Sequence, residues 1–273
     1  MANTISTSFI AQYNSDVQLA FQRGQLLRGT VRTATADGST YIFQKIAAGN
    51  ATDKARNGDV VPMNPTHSTA TATLTDKYAP EYIDKLDILK QNIDERAAMI
   101  QSAVLALQRH ADSQIVTVLD GTGASVYEPL GATALTIAKV AAVFYGYLFA
   151  ADVPDDGQVT AAIGWKQYGE LMQLQQFSGW EYAGGKFPWL SGAQAVRWMN
   201  VLWIPTSGLN TGGTTYRKCY AYHKTALGHA IGQEIQTEIN YVPQKVAWLV
   251  NAFLSMGAVE IDSTGIAPFY CKE

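Results

Sequence analysis

Residues 245 to 266, KVAWLVNAFLSMGAVEIDSTGI, carry apolar side chains on nearly every other position and then on consecutive ones. Alternation of that kind belongs to a strand with one buried face. A different period governs residues 93 to 118, where Ile93, Ala97, Ile100, Val104, Leu107, Ala111, Ile115 and Val118 recur every three or four positions. That spacing lines them along one face of a helix, with Glu95, Ser102 and Arg109 on the polar face. Asn92 with Glu95 three positions on resembles a capping box, and Gly121 lies just past the last periodic residue. At ~1.5 Å per residue this helix is roughly 40 Å long.

Ile10, Tyr13, Val17 and Phe21 fall at helical spacing within residues 1 to 27, which predicts an amphipathic N-terminal arm. From Arg28 onward, VRTATADGSTYIFQ alternates on either side of Asp37-Gly38, a pair that accepts positive φ and therefore predicts a hairpin. Residues 47 to 76, AAGNATDKARNGDVVPMNPTHSTATATLTD, hold too few large apolar side chains to build a core. Such a stretch is a linker or an extended β-loop lying on something else, and the alternation in THSTATATL favours the loop. Helices are expected around 134 to 150 and 165 to 176, followed by a Gly and aromatic loop, GWEYAGGKFPWLSG. VLWIP, KCYAYHKTA and QEIQTEINY then read as strands. With no βαβ rhythm, the order predicts an α+β fold with largely antiparallel pairing.

At 273 residues the chain can bury a sizeable core. It is 47% apolar but only 16% charged, against about 25% in an ordinary soluble domain, so part of its surface is expected to be covered by other subunits. A net charge of -3 supplies no basic footprint for gripping phosphates. Cys219 and Cys271 make neither a disulfide framework nor a four-ligand zinc site, and suit a reducing compartment. The N-terminus MANTISTSFIAQYNSD lacks the pattern of a signal peptide. ALTIAKVAAVFYGYLFAA, 134 to 151, is near the length of a spanning helix, but Lys139 and two tyrosines in it predict a buried helix.

Candidate chemistry is sparse. GTGAS at 121 to 125 lacks the third glycine of a dinucleotide fingerprint and follows a helix, so it reads as a helix-ending turn. His223 and His229 could share one strand face, without an identifiable third ligand. Asp155, Asp156 and Gly157 read as a turn. Trp180, Tyr182, Phe187 and Trp189 could form a stacking platform or anchor subunit contacts. No catalytic, cofactor-binding or metal-binding set assembles, and an enzyme is the least supported class.

The order of elements resembles the major capsid protein of tailed bacteriophages, a fold shared with encapsulins. DGSTYIFQKIAAGNATDKARNGD resembles the run into that family's extended loop. NIDERAAMIQSAVLALQRHADSQIV resembles its spine helix, with Asp94 and Arg96 at the start and Asp112 further along. KVAWLVNAFLSMGAVEIDSTGIAPFYC is similar to its closing strands, a long strand, a Met-Gly step and a last short strand.

The resemblance implies an N-terminal arm at 1–29, an extended β-loop at 30–80, a peripheral domain of 81–130 with 241–273, and an axial domain at 131–240. It implies hexamers and pentamers closing into an icosahedral shell around double-stranded DNA, in a virion assembled in the bacterial host cytoplasm. Other copies of the chain are the expected partners, along with a scaffold, portal or decoration protein, and with DNA held weakly; no membrane is implied. Lys54, Arg56, Asp59, Arg109, Trp180 and Trp189 are the candidate subunit-interface residues. The closing ribbon is expected to pack on the spine helix with Val250 and Phe253 in the buried set. Lys45, Lys54 or Lys77 with Asn251 could supply the Lys–Asn crosslink that some members form. An encapsulin-type compartment and a carbohydrate-binding or adhesive β protein stand as alternatives.

Overall fold

The computed structural model describes residues 22–86, 95–127, 133–178, 195–211 and 215–273. Its early strands are β1 (Arg32–Thr35), β2 (Thr40–Ile46), β3 (His67–Thr73) and β4 (Thr75–Asp84). Helix α1 (Glu95–Asp120) follows, then α2 (Ile137–Val143), β5 (Val159–Ile163), α3 (Trp165–Met172) and α4 (Gln175–Ser178). The chain closes with β6 (Val196–Trp198), β7 (Val201–Pro205), β8 (Tyr216–His223), β9 (Leu227–Val242), β10 (Ala247–Glu260) and β11 (Ile266–Lys272).

The strands form a sheet ordered β1-β9-β10-β4, a sheet ordered β11-β8-β5-β7-β6, and the pair β2-β3. The interspersed helices and strands make the fold α+β, as the pattern predicts. Antiparallel pairing joins β11 to β8, β8 to β5, β6 to β7 and β2 to β3, whereas β1–β9 and β5–β7 are parallel.

The Asp37-Gly38 hairpin does not form. β1 pairs with β9 and β2 with β3, so the turn separates strands of two different sheets. Gly157, not Gly38, is the glycine at positive φ among the described residues. The alternation on both sides of Asp37-Gly38 was genuine strand signal, but partners far along the chain outcompeted the local one.

Contacts divide the chain into two units, one of Met1–Gln25, Asp76–His110 and Gln233–Ser255, the other of Leu26–Thr75, Ala111–Gly232 and Met256–Glu273. In the first, Ile83, Leu107, Ala247, Val250, Ala252 and Leu254 are buried. Val250 and Phe253 stand three apart on β10, so they lie on opposite faces of the strand. Val250 is fully buried, whereas Phe253 is half-buried with its ring 6.2 Å from Tyr78. The expectation that both belong to one buried set is corrected by strand parity.

In the second unit the five-stranded sheet is centred on β5, VTAAI, every residue of which is buried. Ala161 sits opposite Trp203 of β7, and Ala162 opposite Tyr220 of β8, so small side chains in the middle strand make room for large ones beside it. Trp203 meets Phe144 edge-on at 5.4 Å, and Phe177 meets Trp198 edge-on at 5.3 Å.

The expected buried helix at 134 to 151 is helical from Ile137 in three parts and buried on one side only: Lys139, Val140, Val143, Phe144 and Leu148 are buried, whereas Tyr145 is 55% exposed. Thr136 caps α2 by accepting from the Lys139 backbone N–H at 3.3 Å. A π-turn at Phe144–Leu148 and a 3-10 turn at Phe149–Ala151 continue the helix until Asp152 adopts a left-handed φ of 60°. Lys139 is 3% exposed, and its ammonium donates to the Thr133 carbonyl at 3.2 Å and to the Tyr270 carbonyl. Among the described residues no helix is long and apolar enough to cross a membrane.

At the other end of α1, Gly121 N–H closes the helix on the Thr117 carbonyl at 3.1 Å, confirming the predicted turn. Helix α1 is described from Glu95, whereas Asn92 of the capping pair and most of the N-terminal arm lie outside the described residues.

Candidate assembly surfaces

The projecting loop is built on two strands and then left without cover from them. Thr40 to Ile46 pairs with Thr73 to His67 in register, and the ribbon is extended by Ala47 N–H to the Thr66 carbonyl at 2.9 Å. Further out, the Thr52 hydroxyl donates to the Val61 carbonyl at 2.8 Å. The tip turns through Gly58 N–H to the Ala55 carbonyl at 2.9 Å, with Asn57 at a left-handed φ of 64°. Lys54, Arg56 and Asp59 are exposed on this turn. Ile42, Ile46, Val60, Val61 and Met63 are exposed as well, Val60 at 72%.

The base of the loop is anchored much more firmly. Phe43 is buried in a small cluster with Ala36, Ala72 and Ala230. Its ring lies where a side chain at Gly228 would sit, and the Arg32 guanidinium stands 5.6 Å from its centre. Gly257 serves the same end on the other strand, because a Cβ there would collide with the Thr73 carbonyl oxygen. This revises the expected Met-Gly step: Met256-Gly257 lies inside β10, and the chain breaks at the 3-10 turn Ser263–Gly265 before β11. Gly257 is needed for close backbone approach, not for ending a strand.

Lys45 is also part of the base, its ammonium 2.7 Å from Asp262 Oδ1. Burial pushes the Asp262 carboxyl up, but hydrogen bonds from Lys45 and Thr264 outweigh it and hold the carboxyl below its usual range. Lys45 is therefore engaged within its own chain. Asn251 is half-buried in β10, and its Oδ1 is a buried oxygen without a hydrogen-bond donor.

Arg109 serves the N-terminal segment. Its guanidinium donates to Gln22 Oε1 at 2.6 Å, and Gln22 Nε2 donates to Ser102 Oγ at 3.5 Å. The polar face of α1 is thus used to seat the chain on its way out of the arm. Trp180 and Trp189 lie outside the described residues.

Two carboxylate arrangements, one fully buried and one partly exposed, escaped the sequence reading. Asp112 is fully buried on α1 and accepts the Leu26 and Leu27 backbone N–H groups, while Thr30 bonds the Tyr222 hydroxyl at 2.6 Å. At the end of α1, Asp120 accepts from the Tyr220 hydroxyl and the Asn210 amide, with Lys218 3.5 Å away. Burial, and then Asp120, raise the Tyr220 hydroxyl well above its ordinary range.

The histidines separate: His223 ends β8 and His229 lies in β9, on strands of different sheets. Among the described residues no group of three metal-ligating side chains occurs. Cys219 and Cys271 are buried thiols on neighbouring strands. Burial, and then the hydrogen bond between the two thiols, raise the Cys219 thiol.

The described residues thus give an α+β scaffold with a long helix, a long strand ribbon and a loop that exposes its own apolar side chains. The family model described as phage capsid protein matches residues 5–273, so the chain belongs to that family and is a structural major capsid protein of the virion shell. Solved structures share the fold at low identity. A chain of Mycobacterium phage Che8 is 13% identical, with 98% of each chain covered and a TM-score of 0.74. The capsid of cyanophage P-SCSP1u is 12% identical, covering 99% of this chain and 95% of that one, with a TM-score of 0.77. The capsid of cyanophage Pam1 is 14% identical, covering 100% and 99%, with a TM-score of 0.71. No curated protein matches the chain.

Proposed function

We propose that copies of this chain join as hexamers and pentamers into a closed icosahedral shell around double-stranded DNA, and that the 47–66 loop is laid on a neighbouring copy. The loop supports this most directly: Val60, Val61 and Met63 are more than half exposed on a ribbon whose base is firmly anchored. Apolar side chains presented that way lose water only against another surface. Lys54, Arg56 and Asp59 at the tip would set the register of that contact through paired charges.

On this reading 1–29 is the arm, 30–80 the extended loop, 81–130 with 241–273 the peripheral domain, and 131–240 the axial domain. Arg109 would act by holding the start of the arm, and Trp180 and Trp189 by subunit contact. A net charge of -3 suits a wall that holds DNA weakly enough to load and release it. Assembly takes place in the bacterial host cytoplasm, with a scaffold, portal or decoration protein as further partners.

Sedimentation and negative-stain electron microscopy on the wild type and on a V61D/M63D variant test the reading. The wild type should form shells or isolated hexamers and pentamers, and the variant should stay monomeric with unchanged circular dichroism. A wild type that remains monomeric with its scaffold or a crowding agent present overturns the proposal, as does a variant that assembles normally.

A further inference from the structure

His223 is a buried imidazole with both ring nitrogens engaged. Nε2 lies 3.1 Å from Asp156 Oδ1, while Nδ1 lies 2.8 Å from the Thr225 hydroxyl and accepts the Thr225 backbone N–H at 3.3 Å. A backbone N–H can only donate, so Nδ1 carries no proton, and the hydrogen on Nε2 points at Asp156. The Thr225 bond caps the 3-10 turn Lys224–Ala226.

That turn joins several parts of the second unit. Lys224 N–H donates to the Gln158 carbonyl at 3.1 Å, and the Ala226 carbonyl accepts both Ile261 N–H at 2.8 Å and Asp262 N–H at 3.1 Å. Asp262 in turn holds Lys45 at the base of the projecting loop. The turn also borders a half-open cavity of about 240 Å³ lined by Asp152, His223, Thr225, Asp262 and Thr264 among others.

We propose that His223 is an acid-sensitive latch: its protonation removes the cap on the 224–226 turn and loosens the attachment of Asp262 and, through it, of the loop base. Imidazole is the side chain whose charge changes under mildly acidic conditions. When Nδ1 gains a proton it becomes a donor to the Thr225 hydroxyl, and the Thr225 N–H loses its acceptor. Asp156 faces Nε2 and Asp152 and Asp262 line the cavity, while the opposing cations are Lys224 on the turn and Lys45, itself paired to Asp262.

Amide hydrogen exchange on the full chain, expressed as protection relative to intrinsic rates, reads the latch directly. Thr225 protection should fall about fivefold to tenfold as the pH is lowered into the mildly acidic range, the equivalent of one neutral hydrogen bond, while Ala161 and Ala162 in β5 keep theirs. H223N supplies an acceptor oxygen that does not titrate and should hold Thr225 protection constant. Constant Thr225 protection in the wild type, the same loss in H223N, or a parallel loss in β5 would each overturn the proposal.

Discussion

Asp112 holds the backbone of Leu27: Oδ1 accepts the Leu27 N–H at 3.0 Å, and Oδ2 accepts the Leu26 N–H at 2.9 Å. A fully buried carboxylate thus fixes the backbone at Leu26 and at Leu27, whose side chain belongs to the second unit's core. D112A strips the acceptor from the buried Leu27 amide and should cost on the order of 2 to 4 kcal/mol. D112N keeps one oxygen and should cost roughly half as much. Denaturant unfolding at constant slope measures both; equal stability of D112A and wild type would refute the role.

Strand parity separates Val250 from Phe253. V250D places an unpaired carboxylate at a position that is fully buried and should leave no soluble folded protein. F253D breaks a ring contact with Tyr78 on a half-buried face, and should fold with a lowered melting temperature. Soluble yield and circular dichroism check the pair, and equal behaviour of the two variants would contradict the assignment.

Gly257 tests the base of the loop. G257A forces a methyl against the Thr73 carbonyl, backbone that cannot rotate away. A cost of about 1 to 3 kcal/mol is expected, typical of overpacking. Limited proteolysis of the 47–66 segment in the folded variant should show whether the strain is released by lifting the loop.

The Lys45–Asp262 pair predicts a dependence on pH. Asp262's folded carboxyl is depressed, so its contribution to stability is present above the unfolded value near ~3.9 and is lost as pH falls through the folded value. K45M should flatten the part of the acid unfolding profile that Asp262 supplies, with a loss of up to ~1 kcal/mol at neutral pH because both groups are partly exposed. A K45M profile superimposable on the wild type would exclude the pair as a stabilising contact.

Residues with strong local periodicity were legible without coordinates of any kind. Leu107, Ala111 and Ile115 lie on the buried face that their spacing predicted, and THSTATATL became β3. The loop's lack of a core was legible from composition, and its exposed Val60, Val61 and Met63 follow from it. Asp112 gave no signal of its clamp, because the amides it binds lie 85 and 86 positions away. His223 looked like a partner for His229 by spacing, but a 3-10 turn between them sent the strands into different sheets.

By itself, the sequence determined the α+β class, the long helix, the closing ribbon and the coreless loop, since each follows from a short-range period or composition that a few residues carry. Tertiary structure alone decided that β1 joins β9 and not β2, that Gly228 and Gly257 admit Phe43 and Thr73, and that Asp112 and His223 meet backbone amides. Those outcomes depend on which distant surfaces exclude water together and which buried polar groups must then be paired. That competition is settled only when the whole chain packs.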